Sequence, residues 1–235
     1  FFTLDPDNVD PVLKIHSLGE AYRKGNPAYD QRSTVPAIVD VTTGAVVNND
    51  YHDLTTEIAV AWTKYISPDA PDIYPEDLRD DIDALNDIIY ADVNLAVNLA
   101  ALVTSQKDYE FYYDKVFNRL DWLENRLATR RYLMGDTITD PDIRLFVTLS
   151  RFDLVFYQKY YVNKKRLVDY PNLWNYAKDL YSNPAFGGNT DFDSMRKRFY
   201  YVDHTPYEDF PRIVPKGPDM SIWEEPNDRA EKFGK

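Results

Sequence analysis

The feature that most constrains the fold is an over-specified helix start inside the segment ITDPDIRLFVTLSRF, residues 138–152. Thr139 has the chemistry of an N-cap, because its hydroxyl can accept from the backbone N–H three positions later. Asp142, a shorter replacement for the usual Glu, can accept in return from the N–H of Thr139 and complete a capping box. Ile138 and Ile143 have the spacing of a hydrophobic staple. The pattern predicts a helix that begins directly after Thr139.

The predicted helix is apolar on nearly every side, through Ile143, Leu145, Phe146, Val147, Leu149 and Phe152. This distribution is typical of a helix buried in a core. Water cannot satisfy the backbone donors of a buried helix end, so the sequence has to supply their partners. We therefore interpret the capping box as folding chemistry and not as a functional site.

Composition narrows the class of protein. The 235 residues are 44% hydrophobic, enough to fill a core, and 39 acidic against 27 basic residues give a formal net charge of −12. This charge disfavours nucleic acid and anionic membrane surfaces as partners. The sequence shows neither a leader nor a run of roughly 18 apolar residues that could span a membrane. We predict a cytoplasmic protein without a membrane partner.

Metal and thiol chemistry find little support in the sequence. The chain contains no cysteine, and its three histidines, at positions 16, 52 and 204, are far apart, so we predict no metal site. Acids near Asp80 fit the favourable charge of a helix N-terminus better than a metal cluster. Asp203 beside His204 could form an acid–base pair, and the basic segment Asn163–Leu167 could bind an anion. We favour a proline-rich tail and a solvated turn, respectively, for these two segments.

Strand signals occur only near the beginning of the chain. Residues 1–33 are polar and are predicted to be a connector with a short helix from Val12 to Arg23. Two β-rich runs, Val35–Val39 and Ala45–Val47, flank Thr42-Thr43-Gly44 and predict a hairpin. Pro36 stands at the strand entry, where the preceding peptide bond can be cis.

Helix signals dominate after the hairpin. The predicted helices run from Asp50 or Asp53 to Ile66, from Glu76 to Ser105, from Asp108 to Thr129, from Asp140 onward, from Pro171 to Tyr181 and from Asp191 to Phe199. The tail from Tyr201 contains five prolines and is predicted to be an irregular wrap or a partly mobile extension.

Four blocks of sequence in this order carry a family resemblance: STVPAIVDVTTGAVVNND, RYLMGDTITDPDIRLFVTLSRFDLVF, VDYPNLWNYAKDLYSNPAF and RIVPKGP. Together they resemble the Xi class of the glutathione transferase superfamily, the glutathionyl-hydroquinone reductases. The resemblance implies a mainly α fold, with a glutathione-transferase C-terminal helical bundle and a partial N-terminal thioredoxin-like α/β domain that lacks its first βαβ segment. It places the partial domain at residues 1–52, the helical domain at 53–200 and a C-terminal extension at 201–235.

The resemblance also implies glutathione as a co-substrate. Family members use a cysteine in a Cys-Pro-Trp motif to remove glutathione from glutathionylated hydroquinones, and a helix N-terminus makes such a thiol more nucleophilic. Because no cysteine is present and residue 1 is Phe, we expect the motif to lie upstream and these residues alone to be inactive in thiol transfer. The alternatives are a non-catalytic helical binding module and a conjugating transferase that activates glutathione with Ser or Tyr.

Individual positions follow from the resemblance. The backbone of Val35, before Pro36 at the family's cis-proline position, is expected to pair with glutathione. The acid that holds the γ-glutamyl end is kept as Asp50, whereas Tyr51 replaces a small hydroxyl residue. Relatives form homodimers through helical-domain contacts, and we expect the same here.

The substrate pocket is expected to have changed. Three tyrosines that line the pocket in relatives correspond to Asn98, Phe156 and Phe199. Phe keeps an apolar wall but removes a phenol whose neutral hydrogen bond is typically worth about 0.5–1.5 kcal/mol. In the aromatic group Phe156, Tyr157, Tyr160 and Tyr161, packing is favoured over a pocket role.

Overall fold

The computed structural model describes residues 8–202 and 213–234, so Asp203 and His204 lie outside the described residues. The chain divides into two compact units, Phe1–Ala70 and Pro71–Lys235. The first unit extends beyond residue 52 because it includes the helix Leu54–Ala61, and the described tail clusters with the second unit. The domain boundaries at residues 52 and 200 stay predictions.

The first unit contains the predicted hairpin. Strands β1 (Ile38–Asp40) and β2 (Ala45–Asn48) pair antiparallel, and Gly44 adopts a φ of +70° in the turn between them. A left-handed conformation of this kind favours glycine, which lacks a Cβ. The helix α2 (Leu54–Ala61) follows the sheet, and a short 3₁₀ turn spans Thr63–Tyr65.

The first helix begins later than predicted. The Val12–Arg23 prediction is replaced by α1 (Leu18–Gly25), because Ser17 and Glu20 form a capping box in front of it. The Glu20 carboxylate accepts from the backbone N–H of Ser17 at 2.9 Å. This Ser-x-x-Glu signal is present in the sequence and should have marked the boundary.

The second unit is a helical bundle. Its elements are α3 (Arg79–Ile89), a π-helical segment π1 (Tyr90–Asn94), α4 (Ala96–Leu102), α5 (Gln106–Leu127), α6 (Asp140–Arg151), π2 (Phe152–Phe156), α7 (Tyr157–Lys159), α8 (Pro171–Ser182), α9 (Pro184–Gly187), α10 (Phe192–Lys197), π3 (Arg198–Val202) and α11 (Arg229–Phe233). Short 3₁₀ turns occupy Glu76–Leu78, Leu167–Asp169 and Met220–Glu224. The single helix predicted from Glu76 to Ser105 is thus divided by π1 into α3 and α4. Within the described residues, no helix is long and apolar enough to cross a membrane.

One stripe of α5 forms the centre of the core. Its buried residues are Val116, Phe117, Leu120, Leu123 and Leu127, at three- and four-residue spacing. This periodicity turns a single helix face toward its neighbours. Leu145 and Leu149 of α6 and Leu173 and Ala177 of α8 are buried in the same cluster.

The predicted helix start is confirmed, and it gains partners that are distant in sequence. One oxygen of the Asp142 carboxylate accepts from the N–H of Thr139 at 2.8 Å and from its hydroxyl at 3.0 Å. The other accepts from the N–H of Leu133 at 2.9 Å and from the Tyr176 hydroxyl at 2.8 Å. Burial raises the pKa of Asp142. The four hydrogen bonds act in the opposite direction, but the effect of burial is larger. The carboxylate therefore joins α6, the preceding loop and α8.

The helix that follows is less uniformly buried than predicted. Most residues of α6 are buried, but Val147 is 41% exposed and Ile143, one turn earlier, is half-buried. These positions are four apart and share one face of the helix. Apolar composition alone could not distinguish this solvent-facing side from the core side.

The described part of the tail wraps the second unit. Trp223 is 5% exposed, and its ring centroid lies 4.9 Å from that of Trp174 in α8. Arg229 is fully buried and donates to the carbonyl oxygens of Leu127 at 2.8 Å and Arg131 at 2.6 Å. The guanidinium thereby caps backbone acceptors at the end of α5. Residues 213–234 thus pack against the second unit, but they are not wholly irregular, because they contain the 3₁₀ turn Met220–Glu224 and α11.

Asp142→Ala should lower the free energy of unfolding by about 3–5 kcal/mol, because four donors lose a buried acceptor. Urea denaturation at pH 7 measures this change. Asp136→Ala is the matched control, since this exposed acid lies in the loop before α6 and its loss should change stability by less than about 0.5 kcal/mol. Equal losses for the two variants would contradict a structural role for the Asp142 carboxylate.

Candidate functional site

The predicted glutathione-binding positions Val35 and Pro36 lie in the first unit, directly before β1. The peptide bond between them is cis, as the sequence suggested. Val35 is 78% exposed, and no described residue forms a hydrogen bond with its backbone. The preceding carbonyl, that of Thr34, accepts from the Tyr22 hydroxyl of α1 at 2.9 Å. This hydrogen bond anchors the loop next to the exposed Val35.

The other two predicted glutathione positions lie between β2 and α2. One oxygen of the Asp50 carboxylate accepts from the backbone N–H of His52 at 2.8 Å and of Asp53 at 3.2 Å. This oxygen therefore stabilises the turn that leads into α2. Tyr51, inside this turn, is 48% exposed. The structure places both residues at the same surface turn.

The three predicted pocket residues lie in or near π-helical segments, a feature that sequence patterns do not show. Asn98 lies one helical turn after π1, Phe156 ends π2, and Phe199 lies in π3. Short π-helical segments are rare in proteins, and those that occur often lie at functional sites. Asn98 itself belongs to α4, however, and the pocket role of all three residues stays a prediction.

Phe156 and Phe199 are brought together by the structure. Their ring centroids are 5.9 Å apart in an edge-to-face arrangement, and the Tyr160 ring lies 5.4 Å from Phe156 and 6.1 Å from Phe199. Phe156 is only 4% exposed. The ammonium group of Lys159, a residue that the sequence analysis missed, donates to the Phe199 carbonyl. These three rings form a packed aromatic cluster, which agrees with the packing interpretation for Phe156 and Tyr160, whereas Tyr161 is 64% exposed and does not fit it.

Asn98 has a different role from the two phenylalanines. The N–H of Leu95 donates to the carbonyl of Tyr90, five residues back, and the N–H of Asn98 donates to Leu95. The Asn94 carbonyl instead accepts from the Asn98 side-chain amide at 2.7 Å. Asn98 thus supplies a donor to the carbonyl at the end of π1.

The basic segment predicted as a solvated turn forms local pairs. Lys164 lies 3.8 Å from the Asp121 carboxylate, and Arg166 pairs with Asp169 at 2.9 Å. Lys165 lies over the Tyr170 ring, 3.6 Å from its centroid. Because each cation already has a partner, an anion would have to compete for all three.

The acidic segment near Asp80 belongs to the start of α3. Tyr74 donates to both oxygens of Asp83, at 2.9 and 2.8 Å. Burial of the phenol and, to a lesser extent, the neighbouring Asp83 carboxylate raise the pKa of Tyr74 to about 12. In the part of the chain that the structure describes, no group of three or more side chains could hold a metal ion.

Comparison with known proteins identifies the family. Residues 106–179 match the family model described as Glutathione S-transferase, C-terminal domain. Glutathionyl-hydroquinone reductase YqjG of Escherichia coli K12 is 34% identical over 225 residues, covering 96% of this chain and 67% of the relative. The chain belongs to the Xi class of glutathione transferases, the glutathionyl-hydroquinone reductase family.

Solved structures of Xi-class transferases and related proteins agree with this assignment. A glutathione transferase from Gordonia bronchialis is 44% identical with a TM-score of 0.91, covering 98% of this chain and 71% of that one. The glutathione-bound structure of Escherichia coli YqjG is 33% identical with a TM-score of 0.87, covering 96% and 72%. The chain spans about two thirds of the length of the curated relatives that it matches.

Membership in the Xi class confirms the predicted fold. The second unit is the helical C-terminal domain of a glutathione transferase, and the first unit carries the hairpin and helices of a partial thioredoxin-like domain. The predicted glutathione-binding and pocket residues of this transferase stay predictions, because homology at this level does not test individual side chains.

Asn98→Asp should destabilise the protein at pH 7 by about 1–3 kcal/mol, because the introduced carboxylate cannot donate to the Asn94 carbonyl. The protonated carboxyl can donate, so its pKa in the folded state should be raised above the unfolded value. The folded variant then binds more protons, and its deficit relative to the wild type should shrink as the pH falls. Urea denaturation from pH 7 to pH 4 measures this trend, with Asn118→Asp, on the exposed side of α5, as the control. A deficit that does not depend on pH would contradict the donor role of Asn98.

Proposed function

We propose that the protein carrying this chain is a glutathione-dependent thiol transferase that removes glutathione from glutathionylated hydroquinones or related aromatic compounds. Two relatives are named glutathionyl-hydroquinone reductases, and one of them, YqjG, has a structure with glutathione bound. The exposure of Val35, whose backbone forms no hydrogen bond with a described residue, carries the proposal for this chain. A free N–H and carbonyl beside a short strand can pair with the backbone of an extended peptide such as glutathione.

The proposed reaction needs a thiolate. The thiolate attacks the glutathione sulfur of the conjugate, the carbon–sulfur bond breaks, and the released ring takes up a proton as the hydroquinone. A second glutathione then attacks the mixed disulfide, which gives glutathione disulfide and restores the thiolate. None of the 235 residues is a cysteine. The proposal therefore assigns the nucleophile to another part of the gene product, and these residues alone should not turn over.

The full gene product tests the reaction directly. Incubation with a glutathionyl-hydroquinone and free glutathione should yield one hydroquinone and one glutathione disulfide per turnover, measured by liquid chromatography. Intact mass after reaction with the conjugate alone should increase by one glutathione, which dithiothreitol should remove. A gene product without any cysteine, or one that forms no such adduct, would contradict the proposal.

Tyr51→Ser should strengthen glutathione binding by about twofold to tenfold in the protein that contains this chain. A serine hydroxyl at this turn lies close to the backbone, whereas the phenol extends farther out, and a recovered hydrogen bond is worth about 0.5–1.5 kcal/mol. Isothermal titration calorimetry measures the change. Tyr65→Ser is the control, because Tyr65 is also exposed in the first unit, at 74%. Weaker binding by Tyr51→Ser would show that the phenol itself is used.

A second candidate is a non-catalytic helical binding module on the same scaffold. It is favoured by the absence of cysteine from these 235 residues and by the packing of Phe156 against Phe199, which closes space between the rings. This candidate predicts ligand binding with no mixed disulfide in the mass experiment. For either candidate, we propose a cytoplasmic homodimer joined through the helical unit, which light scattering after size-exclusion chromatography would detect as twice the monomer mass.

A further inference from the structure

Lys178 of α8 is a buried cation without a counter-charge among the described residues. Its side chain is 6% exposed. Lysine is almost never buried to this extent unless it is paired. The ammonium donates to the Pro226 carbonyl at 2.8 Å and lies 5.5 Å from the Trp174 ring centroid, and no described carboxylate forms an ion pair with it. An ammonium group has three donors, so two remain after the bond to Pro226.

A cleft of about 460 Å³ opens beside this ammonium. Its walls are the end of α8, the short helix α9 and tail residues 223–227. Gly187 and Gly188 line one side, where a Cβ would meet the carbonyl oxygens of Tyr181 and Pro184, respectively. This volume is sufficient for a small molecule. The cleft lies wholly within the second unit and includes none of the predicted glutathione or pocket residues.

Two carboxylates line the same cleft. Glu224 and Glu225 are both exposed, and neither forms an ion pair with a described residue. Burial, together with the charge of Glu224, raises the pKa of Tyr181 in the cleft wall. The cleft therefore combines one buried positive charge with two solvated negative charges. A simple anion would meet Lys178 favourably but would be repelled by the two glutamates.

We propose that this cleft binds a small zwitterion, an amino acid or a short peptide with free termini. The ligand's carboxylate accepts from the two remaining donors of Lys178, and its ammonium lies beside Glu224 and Glu225. Both charge types of the ligand then meet the opposite charge, and the buried ammonium gains the partner that it lacks. Charge-assisted hydrogen bonds of this kind are the strong ones in proteins.

Glycylglycine is a suitable probe because it carries both termini and no thiol, so the outcome does not depend on the proposed transferase activity. Titration followed by amide NMR should shift the signals of Gly187 and Gly188. Sodium acetate should bind more weakly at the same place. Lys178→Met should weaken glycylglycine binding by about tenfold to a hundredfold, whereas Lys107→Met, an exposed charge on α5, should leave it unchanged.

Two further variants separate the zwitterion site from a structural lysine. Lys178→Arg keeps the charge and should retain most of the binding, which guards against loss of fold in the methionine variant. Glu224→Gln combined with Glu225→Gln should weaken glycylglycine and not acetate. Unchanged glycylglycine binding by Lys178→Met would overturn the proposal. A wild type that does not bind glycylglycine would also overturn it, and a gain of acetate binding by the double glutamine variant would then show that a glutamate occupies Lys178.

Discussion

The buried carboxylate of Asp142 is the interaction on which the second unit depends. It receives four hydrogen bonds, from Thr139 twice, from Leu133 and from Tyr176. The capping part is local, but the bonds to Leu133 and Tyr176 connect the loop before α6 and the middle of α8. Because all four donors are shielded from water, each needs this acceptor. One side chain thus fixes where α6 begins and how α8 lies against it.

Other carboxylates of this acidic chain also accept hydrogen bonds from backbone N–H groups of a different segment. Glu124 of α5 accepts from the backbone N–H groups of Asn172 and Leu173, at 2.9 and 2.8 Å, and so caps the start of α8. Asp153 accepts from the N–H of Leu167 at 2.6 Å, and burial raises the pKa of this carboxyl. With 39 acids and 27 basic residues, many carboxylates have no cation to meet. Acidic side chains of one segment therefore accept hydrogen bonds from the unpaired backbone N–H groups at the start of another.

Local sequence signals predicted much of the fold. The hairpin follows from β-rich runs around Gly44, and the start of α6 follows from Thr139 and Asp142, because turn and cap chemistry act over a few residues. The π segments were not predictable, because they depend on how one helix fits several neighbours. The pairing of Phe156 with Phe199 joins positions far apart in sequence, and only the fold brings them together. The family resemblance, rather than periodicity, selected these positions.

The two units differ in how much apolar surface they bury. The described residues of the first unit bury few large side chains, chiefly Ile15 and Tyr22, whereas the second contains a continuous core around α5. Segments with few buried contacts open at the lowest free-energy cost. The predicted glutathione positions, Val35 and Asp50, belong to this first unit and rely on local anchors such as the Tyr22 hydroxyl. In this unit the exposed Val35 therefore adjoins a segment that is held by one local hydrogen bond and few buried contacts.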